Sequence, residues 1–265
     1  MAKSTIPLTI IAYDAPDDTP VLVLGNSLGT SHRVWADQVA AFSDQFRLVS
    51  FELPGHGHAG SSPGPYSIAD LGKAVLDQVF DANDLEKVPY CGVSLGGMIG
   101  MWLAAHAPDR IEALGLVCTT AYLPPAEGWR ARAELVTASG MEPIVEASIG
   151  RWFTPEFAAQ SPHVVDEFAT ELSQVNPIGY AGCCLAIADM DLRADLALVK
   201  APTLVISGGR DPSTPPEHGA EIVRRIAGAR QLVVDDAAHL ANVSSPEVVT
   251  AALLEHLTSR PDRRE

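Results

Sequence analysis

The chain has 265 residues, of which 47% are hydrophobic and 19% charged, and its formal net charge at pH 7 is −15. This composition is that of an ordinary globular protein and not of a disordered one. The strong negative charge argues against binding to nucleic acid or to an anionic membrane surface. No run approaches the roughly 18 uncharged residues of a membrane span, and the polar start Ala2-Lys3-Ser4 is unlike a signal peptide. We therefore expect a cytoplasmic protein.

Short apolar runs alternate with helical patterns over the first 120 residues. The apolar runs predict strands over 8–13, 20–25, 46–53, 88–91 and 111–118. Helical spacing between them predicts helices over 34–42, 67–80 and from 95 to just before Pro108. At the start of the second helix, Ser67 and Asp70 form a capping-box pattern. The alternation predicts an α/β fold, with a mostly parallel central sheet flanked by helices on both faces.

The strand pattern stops after Thr120. Residues 122–198 contain helical stretches punctuated by prolines, which indicates either a helical insertion or a small helical domain. Strands over 201–209 and 230–234 and helices over 217–227 and 246–257 then resume the sheet pattern. We expect a core domain of residues 1–121 and 199–265 and a helical cap over 122–198, inserted after the sixth strand. The polar tail 259–265 is expected to be frayed.

The pattern Gly92-Val93-Ser94-Leu95-Gly96 lies where a short apolar strand meets a helical run rich in Met, Leu and Ala. G-x-S-x-G at a strand-to-helix turn is typical of a nucleophile elbow, which lifts the serine hydroxyl above the sheet. The flanking glycines let the chains pass at the sharp turn, and the helix N-terminus favours negative charge beside the serine. Alone the pattern is weak, since a serine that caps a helix after a glycine-rich turn would look the same.

Two later residues complete a nucleophilic constellation around Ser94. Asp211 and His239 each follow a predicted apolar strand. Because the carboxyl ends of parallel strands share one edge of a sheet, we expect the three side chains to meet there. His239 can take the serine proton near neutral pH, and Asp211 can stabilise the imidazolium that forms. Asp235 and Asp236 are rival acids, but they lie too near His239 in sequence to face it from a separate loop.

Acyl transfer through a serine also needs two fixed donors for the oxyanion of the tetrahedral intermediate. The backbone N–H of Leu95, directly after the serine, is one candidate. The other should come from the loop of small residues after the strand over 20–25. We assign it to the N–H of Leu28, with Ser27 as the alternative.

The other histidines and the cysteines have simpler interpretations. His56 and His58 lie in a Pro-Gly-His-Gly turn that we expect to brace loops near the site and not to catalyse. Cys91 and Cys118 lie on predicted strands and should be buried. The other two cysteines are adjacent, so a disulfide between them would be strained, and no ligand spacing such as CxxC or HExxH occurs. We expect no metal.

Over its whole length the chain resembles the 3-oxoadipate enol-lactonases, α/β-hydrolase-fold enzymes of the β-ketoadipate route for aromatic breakdown. The serine motif and its partners are common to many hydrolases. Narrower features are the loop Asn26-Ser27-Leu28-Gly29-Thr30 and two segments of the insertion, Arg151-Trp152-Phe153-Thr154-Pro155 and residues 180–193. One departure is the run from Phe51 to His58, which lacks the arginine of the Asp-x-Arg-Gly-His-Gly that relatives usually show.

The resemblance implies a small unsaturated five-membered lactone with a carboxymethyl arm as the substrate. It also implies that Ser94 attacks the ring carbonyl, that His239 moves the proton, that water frees the acyl-enzyme, and that no cofactor is needed. Because the whole chain is negatively charged, binding such an anion requires a local cation, and Arg33 and Arg151 are our candidates.

Three further residues are candidates for lining the substrate pocket. They are Ser27 in the small-residue loop and Trp129 and Trp152 in the insertion. For the two tryptophans, packing within the cap is the favoured interpretation.

Other activities share these features. A general carboxylesterase, a carbon–carbon bond hydrolase and a cofactor-free haloperoxidase are alternatives that substrate profiling would separate. A ligand receptor without turnover is the alternative outside enzymes, and the intact set of Ser94, Asp211 and His239 argues against it. The sequence does not determine the oligomeric state.

Overall fold

A computed structural model describes residues 6–16 and 18–259 of the chain. The polar start Ala2-Lys3-Ser4 and residues 260–265 of the tail, predicted to be frayed, lie outside the described residues.

The described residues form a seven-stranded sheet. The strands in chain order are β1 (Thr9–Ala12), β2 (Val21–Gly25), β3 (Arg47–Glu52), β4 (Val88–Val93), β5 (Ile111–Val117), β6 (Thr203–Gly208) and β7 (Arg230–Val234). Their spatial order is β1-β3-β2-β4-β5-β6-β7. Every neighbouring pair is parallel except β1 with β3, which is antiparallel. The predicted mostly parallel sheet is confirmed.

The α-helices lie before, between and after these strands. In chain order they are α1 (Ala36–Ser43), α2 (Ile68–Val75), α3 (Leu95–His106), α4 (Ala126–Ser139), α5 (Glu142–Trp152), α6 (Pro155–Gln160), α7 (Pro162–Gln174), α8 (Pro177–Ala188), α9 (Pro216–Arg225), α10 (Ala241–Ser244) and α11 (Pro246–Thr258). Many of them start on proline, whose missing N–H is not needed in the first helical turn. The prolines of the insertion therefore separate helices from one another.

The predicted capping box at the start of α2 is present. Ser67 Oγ accepts from the N–H of Asp70, and the Asp70 carboxylate accepts from the N–H of Ser67. The predicted helix over 67–80 is regular only to Val75. It continues as one π-helical turn, Leu76–Phe80, and a short 3-10 turn that ends at Asn83.

The insertion between β5 and β6 contains α4 to α8. Five described strands precede it, one for each of the five apolar runs before Thr120, so the expected position after a sixth strand is wrong by one strand. The division into a core domain and a cap domain remains a prediction.

The sheet brings the loops after β2 and β4 together at the point where strand order reverses. From β2 the chain adds β3 on one side, and β4 then pairs with the other side of β2. Such a switch point is where ligand sites form in open α/β sheets. Helix α3, which follows β4, is buried over nearly its full length, and a helix apolar on all sides belongs inside a core. The start of α3 is therefore rigidly held.

The described residues include no helix that is both long and apolar enough to cross a membrane. All four cysteines are buried and unpaired, which confirms the prediction for Cys91 and Cys118.

Candidate active site

Ser94 occupies a strained turn between β4 and α3. Its backbone has φ 52° and ψ −112°, outside the regions that residues with a side chain favour. A Cβ on Gly92 would lie 2.3 Å from the carbonyl carbon of Gly96, and a Cβ on Gly96 would lie 2.4 Å from that of Gly25. Both glycines of the motif are therefore required by close backbone contacts, as the elbow interpretation predicted.

Buried side chains hold this turn from two neighbouring strands. The Thr119 hydroxyl, just beyond β5, donates to the Ser94 carbonyl at 2.7 Å. The Tyr90 hydroxyl, on β4 itself, donates to the Gly96 carbonyl at 2.7 Å. The N–H of Ser94 donates to the Val117 carbonyl at 2.9 Å. The serine backbone therefore has little freedom to relax its strain.

The three residues singled out from sequence order come together in the structure. His239 Nε2 lies 3.0 Å from Ser94 Oγ, and His239 Nδ1 lies 2.7 Å from Asp211 Oδ2. All three residues are buried. Because an ionised carboxylate only accepts hydrogen bonds, Nδ1 carries the proton and Nε2 is left to accept from the serine hydroxyl. This is the arrangement that a serine nucleophile and its general base require.

The Asp211 carboxylate is held by three donors from its own turn. The N–H groups of Ser213 and Thr214 donate to Oδ1 at 2.7 and 3.1 Å, and the Thr214 hydroxyl donates to Oδ2 at 2.7 Å. Burial acts to raise the pKa of Asp211, but His239 and the Thr214 donors outweigh it and lower the pKa overall. Sequence reasoning missed Thr214, although an Asp at a turn often accepts from the backbone just after it, which brings the next side chains close to its carboxylate.

The rival acids do not compete for this position. Asp235 and Asp236 are exposed, and neither forms a hydrogen bond with His239 in the part of the chain that the structure describes.

The small-residue loop Asn26–Thr30 lies beside the elbow. The N–H of Gly96 donates to the Asn26 carbonyl at 3.0 Å, which ties the two turns together. The amides of Leu28 and Leu95 donate to no acceptor within residues 6–16 and 18–259. Both are buried, and Leu28 and Ser27 line the cavity above Ser94. Two amides at this junction therefore lack an acceptor, as the donors of an oxyanion hole require.

A cavity of about 180 Å³ opens above Ser94 between the sheet edge and the insertion. Of the predicted pocket residues, Ser27, Trp129, Arg151 and Trp152 line it. The full lining is Ser27, Leu28, Ser94, Met98, Leu123, Pro124, Trp129, Arg132, Arg151, Trp152, Tyr180, Ile187, Ser213 and His239.

Two arginines of the insertion converge in this cavity. Arg132 on α4 and Arg151 on α5 both donate from Nη2 to the Ser148 hydroxyl, Arg151 at 3.3 Å. Arg132 also lies over the rings of Trp129 and Tyr180, with Cζ 5.8 and 5.7 Å from their centroids. Within the described residues no carboxylate pairs with either arginine, and Nε of Arg132 is buried without a partner. Burial, and then the charge of Arg132, lower the pKa of Arg151. The pair forms a concentrated positive site beside the serine.

Sequence reasoning missed Arg132 and favoured Arg33 in its place. Arg132 could have been found, because it lies three residues after Trp129 on a helix and so shares its face. Arg33 does not line the cavity. Its side chain is 65% exposed, and it lies 3.5 Å from the carboxylate of Glu167 in a separate groove.

The turn after β3 is braced by a buried glutamate, Glu52. Glu52 is fully buried and accepts from His32 Nδ1 at 2.8 Å and from the N–H of His58. Burial acts to raise the pKa of Glu52, but these two donors lower it overall. Gly57 has φ 51°, and a Cβ there would lie 2.1 Å from Glu52 Oε1. The buried carboxylate therefore organises this turn.

The described residues contain no group of three or more His, Cys, Asp or Glu side chains that could hold a metal ion.

Comparison with known proteins agrees with this geometry. A family model described as the alpha/beta hydrolase fold matches residues 20–246. The chain therefore belongs to the α/β-hydrolase family.

Particular members of that family are similar over almost the whole chain. It is 37% identical over 236 residues to 3-oxoadipate enol-lactonase 2 of Acinetobacter baylyi, covering 89% of this chain and 88% of that one. The crystal structure of the enol-lactonase of Burkholderia xenovorans LB400 matches with a TM-score of 0.92 and 36% identity, covering 95% of this chain and 96% of the other. An esterase of Thermogutta terrifontis, solved with malate bound, matches with a TM-score of 0.87 and 27% identity, covering 94% and 92%. Within its family the chain is a relative of the 3-oxoadipate enol-lactonases, as the resemblance predicted, and it is an ester or lactone hydrolase.

Proposed function

We propose that this chain hydrolyses 3-oxoadipate enol-lactone, a small unsaturated lactone with a carboxylate arm, to 3-oxoadipate. One observation carries the proposal. The Ser94–His239 pair and two arginines without a carboxylate partner among the described residues line the same cavity. Partial burial of two cations costs desolvation free energy. Binding a neutral ester would not recover that free energy. An anionic substrate would offset that cost.

The acylation step follows from the distances in the site. As the Ser94 hydroxyl attacks the lactone carbonyl, its proton passes to His239 Nε2, 3.0 Å away. Asp211 stabilises the imidazolium that forms. The oxyanion accepts from the N–H groups of Leu28, or alternatively Ser27, and Leu95. When the tetrahedral intermediate collapses, the ring C–O bond breaks and the enol oxygen leaves with the His239 proton.

The second step frees the acid. Water gives a proton to His239 and attacks the acyl carbon, and collapse of the new intermediate returns the proton to Ser94 Oγ. The enol then tautomerises to the ketone of 3-oxoadipate without further help. Protons and electron pairs balance over the cycle, and no cofactor enters it.

The carboxylate arm would bind between Arg132 and Arg151. A chain of net charge −15 repels an anion at long range, so binding depends on these local cations. Arginine suits the task because its planar guanidinium stays charged when partly buried and can bind a carboxylate through two parallel hydrogen bonds. The faces of Trp129 and Trp152 would confine the ring of the lactone.

The cellular setting is part of the same proposal. Four unpaired, buried cysteines fit a reducing compartment, so we place the enzyme in the cytoplasm. A small-molecule substrate is the partner that the cavity supports.

The first experiment follows the ultraviolet loss of the enol-lactone, generated in situ, with wild type and Ser94→Ala side by side. Removing the nucleophile should lower kcat roughly 10⁶-fold. If wild type leaves the lactone intact yet cleaves aryl esters, the chain is a hydrolase of another substrate. If Ser94→Ala retains activity, the nucleophile is misassigned.

A second experiment tests recognition of the carboxylate. Arg132→Gln and Arg151→Gln should each raise KM for the anionic lactone roughly 10- to 100-fold, since each removes a hydrogen bond to a charged group. KM for a neutral ester should be nearly unchanged. Arg130→Gln is the matched control, because Arg130 lies on the same helix but pairs with Asp189 at the surface. Equal losses on both substrates would contradict the proposed role of the pair.

A further inference from the structure

His56 lies in the turn after β3 and is fully buried, yet it belongs to none of the groups that act on the substrate above. Its two ring nitrogens both have backbone partners. Nε2 lies 2.9 Å from the amide nitrogen of Gly29, and Nδ1 lies 2.9 Å from the carbonyl oxygen of Pro54.

These partners determine the protonation of the ring. An amide N–H can only donate, so Nε2 must be the unprotonated acceptor. A carbonyl oxygen can only accept, so Nδ1 must carry the proton. Burial lowers the pKa of His56 to about 4, and the nearby Glu52 carboxylate opposes that shift only in part. The ring is therefore neutral, and one tautomer alone satisfies both contacts.

The Gly29 amide lies one residue beyond Leu28, the donor assigned to the oxyanion. Gly29 has φ +90°, and a Cβ there would lie 2.8 Å from Leu172 and 3.1 Å from the Trp152 ring. The insertion therefore confines the loop on its outer side. On its inner side, the Gly29 amide donates to His56. Rotation of the loop would move the Leu28 N–H away from the attacked carbonyl.

The same turn contacts the insertion directly. The Gly55 carbonyl accepts from the N–H of Asn176 at 2.8 Å, and the His56 ring is stacked on Tyr180, with centroids 6.1 Å apart. Tyr180 in turn lines the substrate cavity. His56 therefore joins the oxyanion loop, the turn after β3 and the wall of the cavity.

We propose that His56 is a positioning residue for the oxyanion hole: its neutral Nε2 accepts from the Gly29 N–H and so holds the Leu28 N–H toward the reacting carbonyl. The inference rests on the proposed hydrolytic function and on Leu28 as an oxyanion donor. It assigns His56 no contact with the substrate and no proton transfer.

A matched pair of variants tests this role. In His56→Gln the side-chain oxygen reaches the place of Nε2 and can accept from Gly29. In His56→Asn the shorter amide can reach only Pro54, so Gly29 loses its acceptor. Both variants remove the ring and its stacking on Tyr180, so both should lose similar thermal stability. His58→Ala is the control, because His58 is an exposed histidine of the same turn whose contact to Glu52 is made by its backbone.

His56→Asn should lower kcat on the order of 100-fold, because a misplaced oxyanion donor raises the barrier to reaction for every bound substrate. KM should change less than about twofold. The loss should be equal for the anionic lactone and a neutral ester, unlike the losses in the arginine variants. Glutamine should recover most of the kcat lost in the asparagine variant. Equal losses in the two variants, or full kcat in His56→Asn, would overturn the proposal.

A measurement on the wild-type chain keeps the test independent of folding and of substrate. Nitrogen chemical shifts of ¹⁵N-histidine-labelled protein should show a ring, besides that of His239, with a protonated Nδ1 and a bare Nε2 from pH 8 to pH 5. The signals of this ring should be absent from His56→Gln. The opposite tautomer, or a ring that is charged at pH 6, would overturn the assignment of His56. Failure of the wild type to hydrolyse any ester or lactone would overturn the proposed function and leave this spectroscopic result standing.

Discussion

Replacing Gly25 by alanine should destabilise the chain mainly through one contact, with the hydroxyl of Tyr90. A Cβ at Gly25 would lie 2.2 Å from Tyr90 Oη, far inside the 3.4 Å at which ordinary contact begins. The next nearest atoms, Gly96 Cα and Tyr90 Cζ, lie at 3.1 Å and need yield only slightly. The hydroxyl cannot move freely, because Tyr90 is fully buried and donates to the Gly96 carbonyl at 2.7 Å.

The expected energies follow from these contacts. Overpacking a buried site costs about 1–3 kcal/mol, and breaking the Tyr90 hydrogen bond adds about 1 kcal/mol. Gly25→Ala should therefore lower the free energy of unfolding by about 3 kcal/mol, and Tyr90→Phe by about 1 kcal/mol. In the double variant no hydroxyl opposes the new methyl, so the loss should be about 2 kcal/mol instead of the additive 4 kcal/mol or so.

Urea unfolding of wild type, both single variants and the double variant at pH 7, followed by tryptophan fluorescence, measures all four free energies. The slopes against urea should agree, since no variant changes the surface exposed on unfolding. A double variant whose loss equals the sum of the single losses to within about 0.5 kcal/mol would refute the steric reasoning.

Three further predictions concern groups near the site. Because the pKa of His56 falls from 6.5 to about 4 on folding, the unfolded chain binds a proton between these values that the folded chain does not. Stability should thus drop by about 3 kcal/mol as the pH falls from 6.5 to 4, and urea titrations showing the same slope in His56→Gln would contradict this. Thr214→Val removes a donor from the Asp211 carboxylate and should lower kcat roughly 10-fold with KM nearly constant; an unchanged kcat in steady-state assays would exclude a role for that hydroxyl. Arg33→Leu removes an exposed ion pair with Glu167, so the free energy of unfolding, measured by thermal denaturation, should change by less than about 0.5 kcal/mol. KM for the lactone should stay constant. A raised KM would show that Arg33 helps to bind the substrate.

Local patterns in the sequence were sufficient for the sheet and for the elbow. The predicted strands and helices of the core are encoded by the spacing of their own apolar residues, and the close contacts of Gly92 lie within a few residues of Ser94. From the chain order of Ser94, Asp211 and His239 we could predict that the three side chains lie close together, because loops at the carboxyl ends of parallel strands share one edge of the sheet. Topology alone therefore brought together residues up to 145 positions apart.

The substrate subsite could not be obtained in this way. Arg132 and Arg151 meet at Ser148 only because α4 and α5 pack against each other in the insertion, where no sheet imposes a common edge. Arg33 is adjacent to the small-residue loop in sequence, yet the helical turn at 32–35 directs its side chain to Glu167 and away from the cavity. Proximity along the chain is a poor guide to direction once a helix begins.

The hydrogen bonds of His56 also separate what the sequence determines from what only the tertiary structure determines. The sequence by itself determined the strands, the elbow and the order of the nucleophile and its partners, since each depends on short-range periodicity or on the regular geometry of a parallel sheet. Tertiary structure alone decided which arginines share the cavity and which nitrogen of His56 meets Gly29, 27 residues earlier in the chain. Those contacts join separate loops and helices, and their geometry exists only after the elements have packed.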